Sequence, residues 1–346
     1  MITIEDGQKI LLVPENGKPP TWAEDGGYTV VRQPVQAVYL AASSGMDMVD
    51  ALGCLDRVRF TSTKREDWSL SPVTEALDEG ALSYVGKYSA PDYEMLVEGG
   101  CTLAVESTMI YHNPKAKEEL EALGIPVIVE RSSYENDPIG RLEWIRFYGA
   151  LLGEEDKADV FFDKQQKKVS KILENSKENR SLNKVTGIEQ SRNADGSSDS
   201  GKPDNAPTMA FFSISDNGYA TVRKSGDYVS KMIEMAGAKY VPSDATPEDE
   251  NALSTMNMQM ERFVDETVDA DFLIYNSTIQ QEVSTISELL GRSELLADYK
   301  AVKQGHVWCT NKNVFQKSTA VGDIIRELYQ IRTGQDEGLT FFHKVE

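Results

Sequence analysis

A chain of 346 residues is long for one small domain and short for three, so two lobes with a core each are expected. Hydrophobic residues make up 40% and charged ones 27%, the balance of a soluble globular protein, and no apolar run reaches the length that a membrane-spanning helix needs. The net charge of -20, from 56 acidic and 36 basic residues, repels phosphate backbones and anionic lipid and argues against nucleic-acid or membrane-surface partners.

The chain opens on Met1-Ile2-Thr3-Ile4-Glu5-Asp6-Gly7, which has neither a basic segment nor an apolar one of signal-sequence type. Taken literally this is a cytoplasmic start, and a Met joined to a mature extracytoplasmic sequence reads the same. Ile2 to Val13 forms the pattern of a β-hairpin turned at Asp6-Gly7. Through residues 28 to 130, short branched apolar runs alternate with amphipathic stretches, the signature of strands joined by crossover helices in a parallel sheet. The expected strands are Val35 to Leu40, Arg57 to Phe60, Leu82 to Val85, Thr102 to Glu106 and Ile125 to Glu130. Between them Met46 to Leu52, Tyr93 to Glu98 and Ala116 to Leu123 read as helices.

Ile139, Leu142, Ile145, Tyr148 and Leu152 recur at helical spacing and Gly153 stops the run. A longer helix follows, with Ala158, Phe161, Gln165, Val169 and Ile172 on one stripe. From Glu174 to Thr208 the composition turns to Ser, Asn, Asp, Gly and Lys, a flexible surface insertion. The α/β rhythm then resumes with strands at Met209 to Ile214, Tyr219 to Val222, Phe272 to Tyr275 and His306 to Cys309, and helices at Val229 to Ala236, Met258 to Thr267 and Ala320 to Thr333. The fold class expected is α/β: two Rossmann-like lobes with mostly parallel sheets, joined by one long helix, with a ligand cleft between them. The boundaries are 1–137 for the first lobe, 138–177 for the helical connector, 178–208 for the polar insertion and 209–346 for the second lobe.

No G-x-G-x-x-G follows a candidate strand, and G-x-x-x-x-G-K-[ST], G-x-S-x-G and H-E-x-x-H are all missing. With only His112, His306 and His343, a multi-histidine metal site or histidine acid/base chemistry is hard to assemble. Cys54, Cys101 and Cys309 match no metal or redox spacing and read as small buried hydrophobes. No catalytic residue, metal site or cofactor is assigned, and an enzyme, such as a relative of cluster-bearing oxidoreductases with paired lobes, is the lesser alternative.

Several stretches in order resemble the class III periplasmic binding proteins of ABC importers for iron-siderophore, haem and cobalamin-type ligands. They are Pro34 to Ser44 followed by Asp50-Ala51-Leu52-Gly53; Ala90-Pro91-Asp92-Tyr93-Glu94-Met95-Leu96 followed by Cys101 to Glu106; Leu123-Gly124-Ile125-Pro126-Val127; Arg141 to Ala158; Ala236-Gly237-Ala238; Met260-Glu261-Arg262-Phe263; Ala270 to Tyr275; and Ala301 to Trp308. The resemblance implies an extracytoplasmic solute-binding protein, in the periplasm or as a lipoprotein, without its signal sequence here. It would be a monomer that takes an iron complex to an ABC permease and ATPase. It also implies Glu94 and Glu261 as the acidic residues that dock on the permease. Haem or cobalamin, or a sensor built on the same fold, are the alternatives.

Ligands of open α/β sheets lie outside the carboxyl ends of the strands, so the loops there supply the candidates. From the first lobe these are Ser44, Lys64, Arg65, Lys87, Tyr88, Met109, Tyr111, His112, Arg131 and Tyr134, and from the second Tyr219, Arg223, Asn276 and Phe315. Cations and tyrosines in the loops of an acidic chain suit an anionic, partly aromatic ligand. Taken singly, each also reads as a solvated loop residue. Met109, Tyr111 and His112 are residue types that bind haem iron, and they read first as packing at a strand end.

Overall fold

Runs such as Val38-Tyr39-Leu40, Phe272-Leu273-Ile274-Tyr275 and Val307-Trp308-Cys309-Thr310 are buried at every position, so each must lie in a sheet covered on both faces. The structure, a computed structural model, describes residues 1–4, 6–14, 16–185, 206–243, 254–278 and 281–346. The chain divides into one unit of Met1–Glu135, Ile139–Lys164 and Phe315–Thr319 and another of Asn136–Pro138, Gln165–Val314 and Ala320–Glu346.

In the first unit the elements run β1 (Ile2–Thr3), β2 (Lys9–Pro14), α1 (Trp22–Asp25), β3 (Tyr28–Gln33), β4 (Val38–Leu40), α2 (Ser43–Ala51), β5 (Val58–Thr61), α3 (Ser71–Asp78), β6 (Ser83–Tyr84), β7 (Gly86–Lys87), β8 (Ala90–Pro91), α4 (Tyr93–Glu98), β9 (Leu103–Ser107), α5 (Pro114–Ala122), β10 (Val127–Glu130), α6 (Pro138–Leu152) and the start of α7 (Glu155–Val185). Five strands form a parallel sheet in the order β10-β9-β4-β5-β6. The expected hairpin is present as β1 and β2, with Ile2 opposite Ile10, and β3 adds to it in parallel. Both β3 and α3 go beyond the sequence expectation. Helix α3 has Val73 as its one buried residue, too little apolar periodicity to announce itself.

The edge strand β10 is closed by a side chain. The Gln8 carboxamide donates to the Val129 carbonyl at 3.0 Å and accepts from the Val129 N–H at 2.8 Å, taking the place of a neighbouring strand and protecting an edge that would otherwise be open to pairing.

Helix α6 buries Leu142, Ile145, Tyr148 and Leu152 as its spacing predicts. Gly153, at φ 75°, takes the left-handed conformation that lets the chain leave α6 and enter α7 within two residues. On α7 the buried stripe is Ala158, Phe162, Gln165, Val169 and Ile172. The steps of four and three residues keep to one face, and Phe161 lies one position off it. The helix also continues to Val185, past the expected connector end at 177. The rest of the expected insertion, 186–205, lies outside the described residues.

The second unit continues with β11 (Thr208–Ile214), β12 (Ala220–Arg223), α8 (Tyr228–Met235), β13 (Lys239–Val241), β14 (Thr255–Met258), α9 (Met260–Thr267), β15 (Phe272–Tyr275), α10 (Ile286–Arg292), α11 (Lys300–Gln304), β16 (Val307–Thr310), α12 (Val321–Thr333) and β17 (Phe342–Lys344). Its sheet runs β14-β12-β11-β15-β16-β17, with β13 also on β11. Strands β13, β11, β15 and β16 pair in parallel, and β14, β12 and β17 add antiparallel edges. Asp227 caps α8 through the Val229 N–H at 2.9 Å, and Thr285 with Glu288 forms a reciprocal capping box on α10.

One contact in the first unit shows how tight this packing is. A Cβ added at Gly45, within α2, would lie 1.9 Å from the Tyr148 hydroxyl of α6, so these helices meet only because residue 45 has no side chain. The Tyr148 hydroxyl is itself buried without a hydrogen-bond partner among the described residues. Gly45→Ala is therefore expected to destabilise by about 2 kcal/mol through overpacking, whereas Tyr148→Phe, which removes an unsatisfied polar atom, should cost less than about 1 kcal/mol. Urea unfolding of both variants measures this, and equal losses would contradict it.

Candidate functional site

The strand orders locate the candidate sites before any side chain is considered. In the first unit β4 precedes β5 and β6 on one side, and β9 and β10 follow on the other. The order therefore reverses between β4 and β9, and a crevice opens at their carboxyl ends. In the second unit the corresponding reversal lies at β11 and β15.

At the carboxyl edge of the first sheet the loops carry an exposed fringe above a buried polar layer. Met109, Tyr111 and Tyr134 are exposed large side chains, joined by exposed His112, Lys64, Arg65 and Lys87, with Tyr88 half-buried against the core. Several of these groups are already engaged. Arg65 holds Asp78 bidentately at 2.9 and 2.8 Å, and Lys64 lies 3.7 Å from Glu66. The Tyr111 hydroxyl donates to Asp6 at 2.9 Å, and Arg131 reaches the same carboxylate at 3.4 Å while its guanidinium lies 5.9 Å from the Tyr134 ring centre. Burial works to raise the Asp6 pKa, but hydrogen bonds from Gln8 and Tyr111 and the charge of Arg131 overcome it and hold the carboxyl below its ordinary value. Asp6 thus pins the N-terminal hairpin onto two of the candidate ligand residues.

Ser44 lies beneath this fringe. It is buried, its hydroxyl donates to Glu130 at 2.8 Å, and its carbonyl accepts from the Ser318 hydroxyl at 2.7 Å. Glu130 also accepts from the Ser132 N–H at 2.8 Å. Burial raises its pKa against the opposing effect of these hydrogen bonds and of Arg141. Beside it Asp47, 2% exposed, accepts from Lys317 at 2.9 Å, from the Thr319 N–H at 2.9 Å and from the Thr319 hydroxyl at 2.5 Å. These bonds hold the segment 315–319 on the first unit, so Phe315, expected from the second lobe, sits with the first.

In the second unit Tyr219 is partly exposed at the β11 to β12 turn and accepts from Gln259 at 3.4 Å. Asn276 follows β15 and bonds the Thr278 hydroxyl at 2.7 Å. Arg223 sits elsewhere. Strand β12 runs antiparallel to β11, which carries Arg223 away from the carboxyl end. Its side chain is enclosed by Asp227 at 3.7 Å, Ser254 at 3.2 Å and the rings of Phe211 and Tyr228.

Asp6, Asp47, Glu106, Glu130 and Lys317 were missed from the sequence as parts of these sites. The two glutamates did leave a trace, since Leu-Ala-Val-Glu and Val-Ile-Val-Glu each end an apolar strand on an acid. Glu106 is fully buried and neither of its carboxyl oxygens has a partner among the described residues. Burial pushes its pKa up to about 8, and the hydroxyls of Tyr39 and Tyr93, raised chiefly by burial, feel its charge.

No family model matches the sequence. The chain is 24% identical over 327 residues, 90% of its length and 68% of the relative's, to an uncharacterised lipoprotein of Methanocaldococcus jannaschii. A second uncharacterised lipoprotein of that organism is 24% identical over 98% of the chain. Among solved structures, a periplasmic binding protein from Veillonella parvula superposes with a TM-score of 0.61 at 16% identity, covering 87% of this chain and 92% of that one. A periplasmic haem-binding protein from Pseudomonas aeruginosa gives 0.60 at 13%, covering 90% and 98%. An Fe3+-hydroxamate ABC transport protein from Saccharomonospora viridis gives 0.57 at 16%, covering 87% and 94%. The fold is the two-lobed α/β fold of class III periplasmic binding proteins.

Glu106 makes stability pH-dependent in a direction that can be worked out. With its folded pKa above the ordinary glutamate value, its contribution is fully present below that value and is lost as pH rises through about 8. Relative to Glu106→Gln, the wild-type chain should lose thermal stability progressively between about pH 5 and about pH 8. Thermal melts across that range would show parallel curves for the two proteins if the account is wrong.

Proposed function

We propose that this chain is the extracytoplasmic solute-binding component of an ABC importer and that it captures an iron complex of siderophore type. The observation that carries the reading is the pair of sheets with reversal points at their carboxyl ends, in a chain that superposes over most of its length on periplasmic binding proteins. The lipoprotein relatives support a place outside the cytoplasm. The neighbours are binding proteins and not enzymes, which favours capture over catalysis. An anionic ferric complex suits the exposed Lys64, Lys87 and His112 among half-exposed tyrosines. A haem protein is among the structural neighbours, but the bond from Tyr111 to Asp6 weighs against Tyr111 as an iron ligand and favours the siderophore reading.

Docking on a permease is assigned to Glu94 and Glu261. Glu94 is exposed on α4, and its neighbours Met95 and Val97 are exposed apolar side chains on the same short helix. An acid beside uncovered apolar surface suits an interface with a basic rim and an apolar centre. Glu261 is exposed in the first turn of α9, whose Phe263 is fully buried, so the helix is held rigidly with the acid facing outward. Glu94→Ala and Glu261→Ala are expected to abolish uptake of the iron complex by whole cells while leaving its affinity for the isolated protein unchanged. Loss of affinity, or normal uptake by the double variant, would overturn the assignment.

A further inference from the structure

Helix α6 is apolar on two sides. One side, Leu142, Ile145, Tyr148 and Leu152, is buried. The other runs through Gly140, Glu143, Trp144, Phe147 and Ala150, spaced by three, one, three and three residues, so that it forms a single stripe. A cleft of about 540 Å³, open to solvent, is lined by Ile2, Thr3 and Ile4, by the α6 stripe with Arg146, and by Arg131, Tyr134 and Glu135. Packing faults leave voids near the size of a water molecule, about 30 Å³, whereas this volume falls in the range of small-molecule pockets.

The surroundings of the cleft carry more acid than base. The chain that follows β1 is held by the Gln8 bonds to Val129 and the Asp6 bond to Tyr111. The aromatic wall of the cleft is ordered by edge contacts, Trp144 to Phe147 at 5.2 Å and Phe147 to Tyr148 at 5.3 Å. The lining has two cations, Arg131 and Arg146, and two carboxylates, Glu135 and Glu143. Each is engaged: Arg131 with Asp6 at 3.4 Å, Glu135 with the Trp144 indole N–H at 3.0 Å, and Arg146 with Asp159 at 2.7 Å, with Glu143 at 3.2 Å and over the Phe162 ring at 4.1 Å. An anionic ligand would have to displace an acid from Arg131 or Arg146 or lie near the Glu135 carboxylate, which is held by a neutral indole N–H. A flat apolar ring system would stack against Trp144, Phe147 and Tyr134 and leave these pairs intact.

We propose that this cleft, built within the first unit and sharing Arg131 and Tyr134 with the candidate residues at the carboxyl edge of its sheet, is a binding site for an aromatic molecule that carries no negative charge. The full chain titrated with N-phenylnaphthylamine, an uncharged fluorophore that brightens in apolar surroundings, should show saturable binding of one probe per chain. The anionic anilinonaphthalene sulfonate should bind at least about tenfold more weakly. Ala150→Phe and Gly140→Leu fill the cleft from opposite ends of the stripe, and whichever variant keeps the wild-type thermal midpoint should weaken the uncharged probe by about tenfold or more. The absence of saturable binding, equal affinity for the two probes, or undiminished binding by the folded filling variants would overturn the proposal.

Discussion

A parallel sheet has to be covered on both faces, and most of this molecule follows from that constraint. Strands β4, β15 and β16 are buried at every position, so helices must lie on either side and the chain must cross over between successive strands. Crossovers bring the parallel strands in with the same polarity, five in the first sheet and β13, β11, β15 and β16 in the second. Their carboxyl ends then fall on one edge of each sheet, and loops that need not be apolar collect there. The exposed Tyr111, Tyr134, Lys64 and Lys87 of the first unit follow strands and so stand in those loops.

The same constraint explains the buried acids. Where β10 passes from the apolar layer into the loops, Glu130 ends it because donors converge there, and donors converge likewise on Asp47 within α2. These bonds hold the 315–319 segment on the first unit and fix the start of α2, so the floor of the loop edge is set by hydrogen bonds and not by apolar contacts alone. Glu106 has no such donors among the described residues, and burial raises its pKa.

Much of the fold was legible in the sequence. Strands with no polar face, such as β15, and helices with firm period or caps, such as α4 and α6, declared themselves through local pattern. What stayed hidden depended on partners distant in sequence or on elements too short to show a period. Strand β3 exists by pairing with β2, α3 buries a single Val73, and the stripe of α7 shifts from Phe161 to Phe162 because two adjacent aromatics offer either choice. The candidate site was less legible. Met109, Tyr111, His112 and Tyr134 do follow β9 and β10, in single helical turns, but only the structure reveals that Tyr111 and Arg131 bind Asp6 or that Arg65 binds Asp78. Arg223 was placed after a strand by counting along the chain, and the antiparallel run of β12 takes it the other way.

The central claim is that the loop edges hold an iron complex. Native mass spectrometry of the folded chain, incubated with ferric hydroxamate, ferric catecholate, haemin and cobalamin in competition, tests it most directly. The account predicts one iron-bearing complex per chain, dominated by a ferric siderophore, and a stabilisation of about 2.7 kcal/mol when that ligand is present at about 100 times its dissociation constant. A folded chain that stays at its ligand-free mass, with no thermal shift from any of the four, would contradict it.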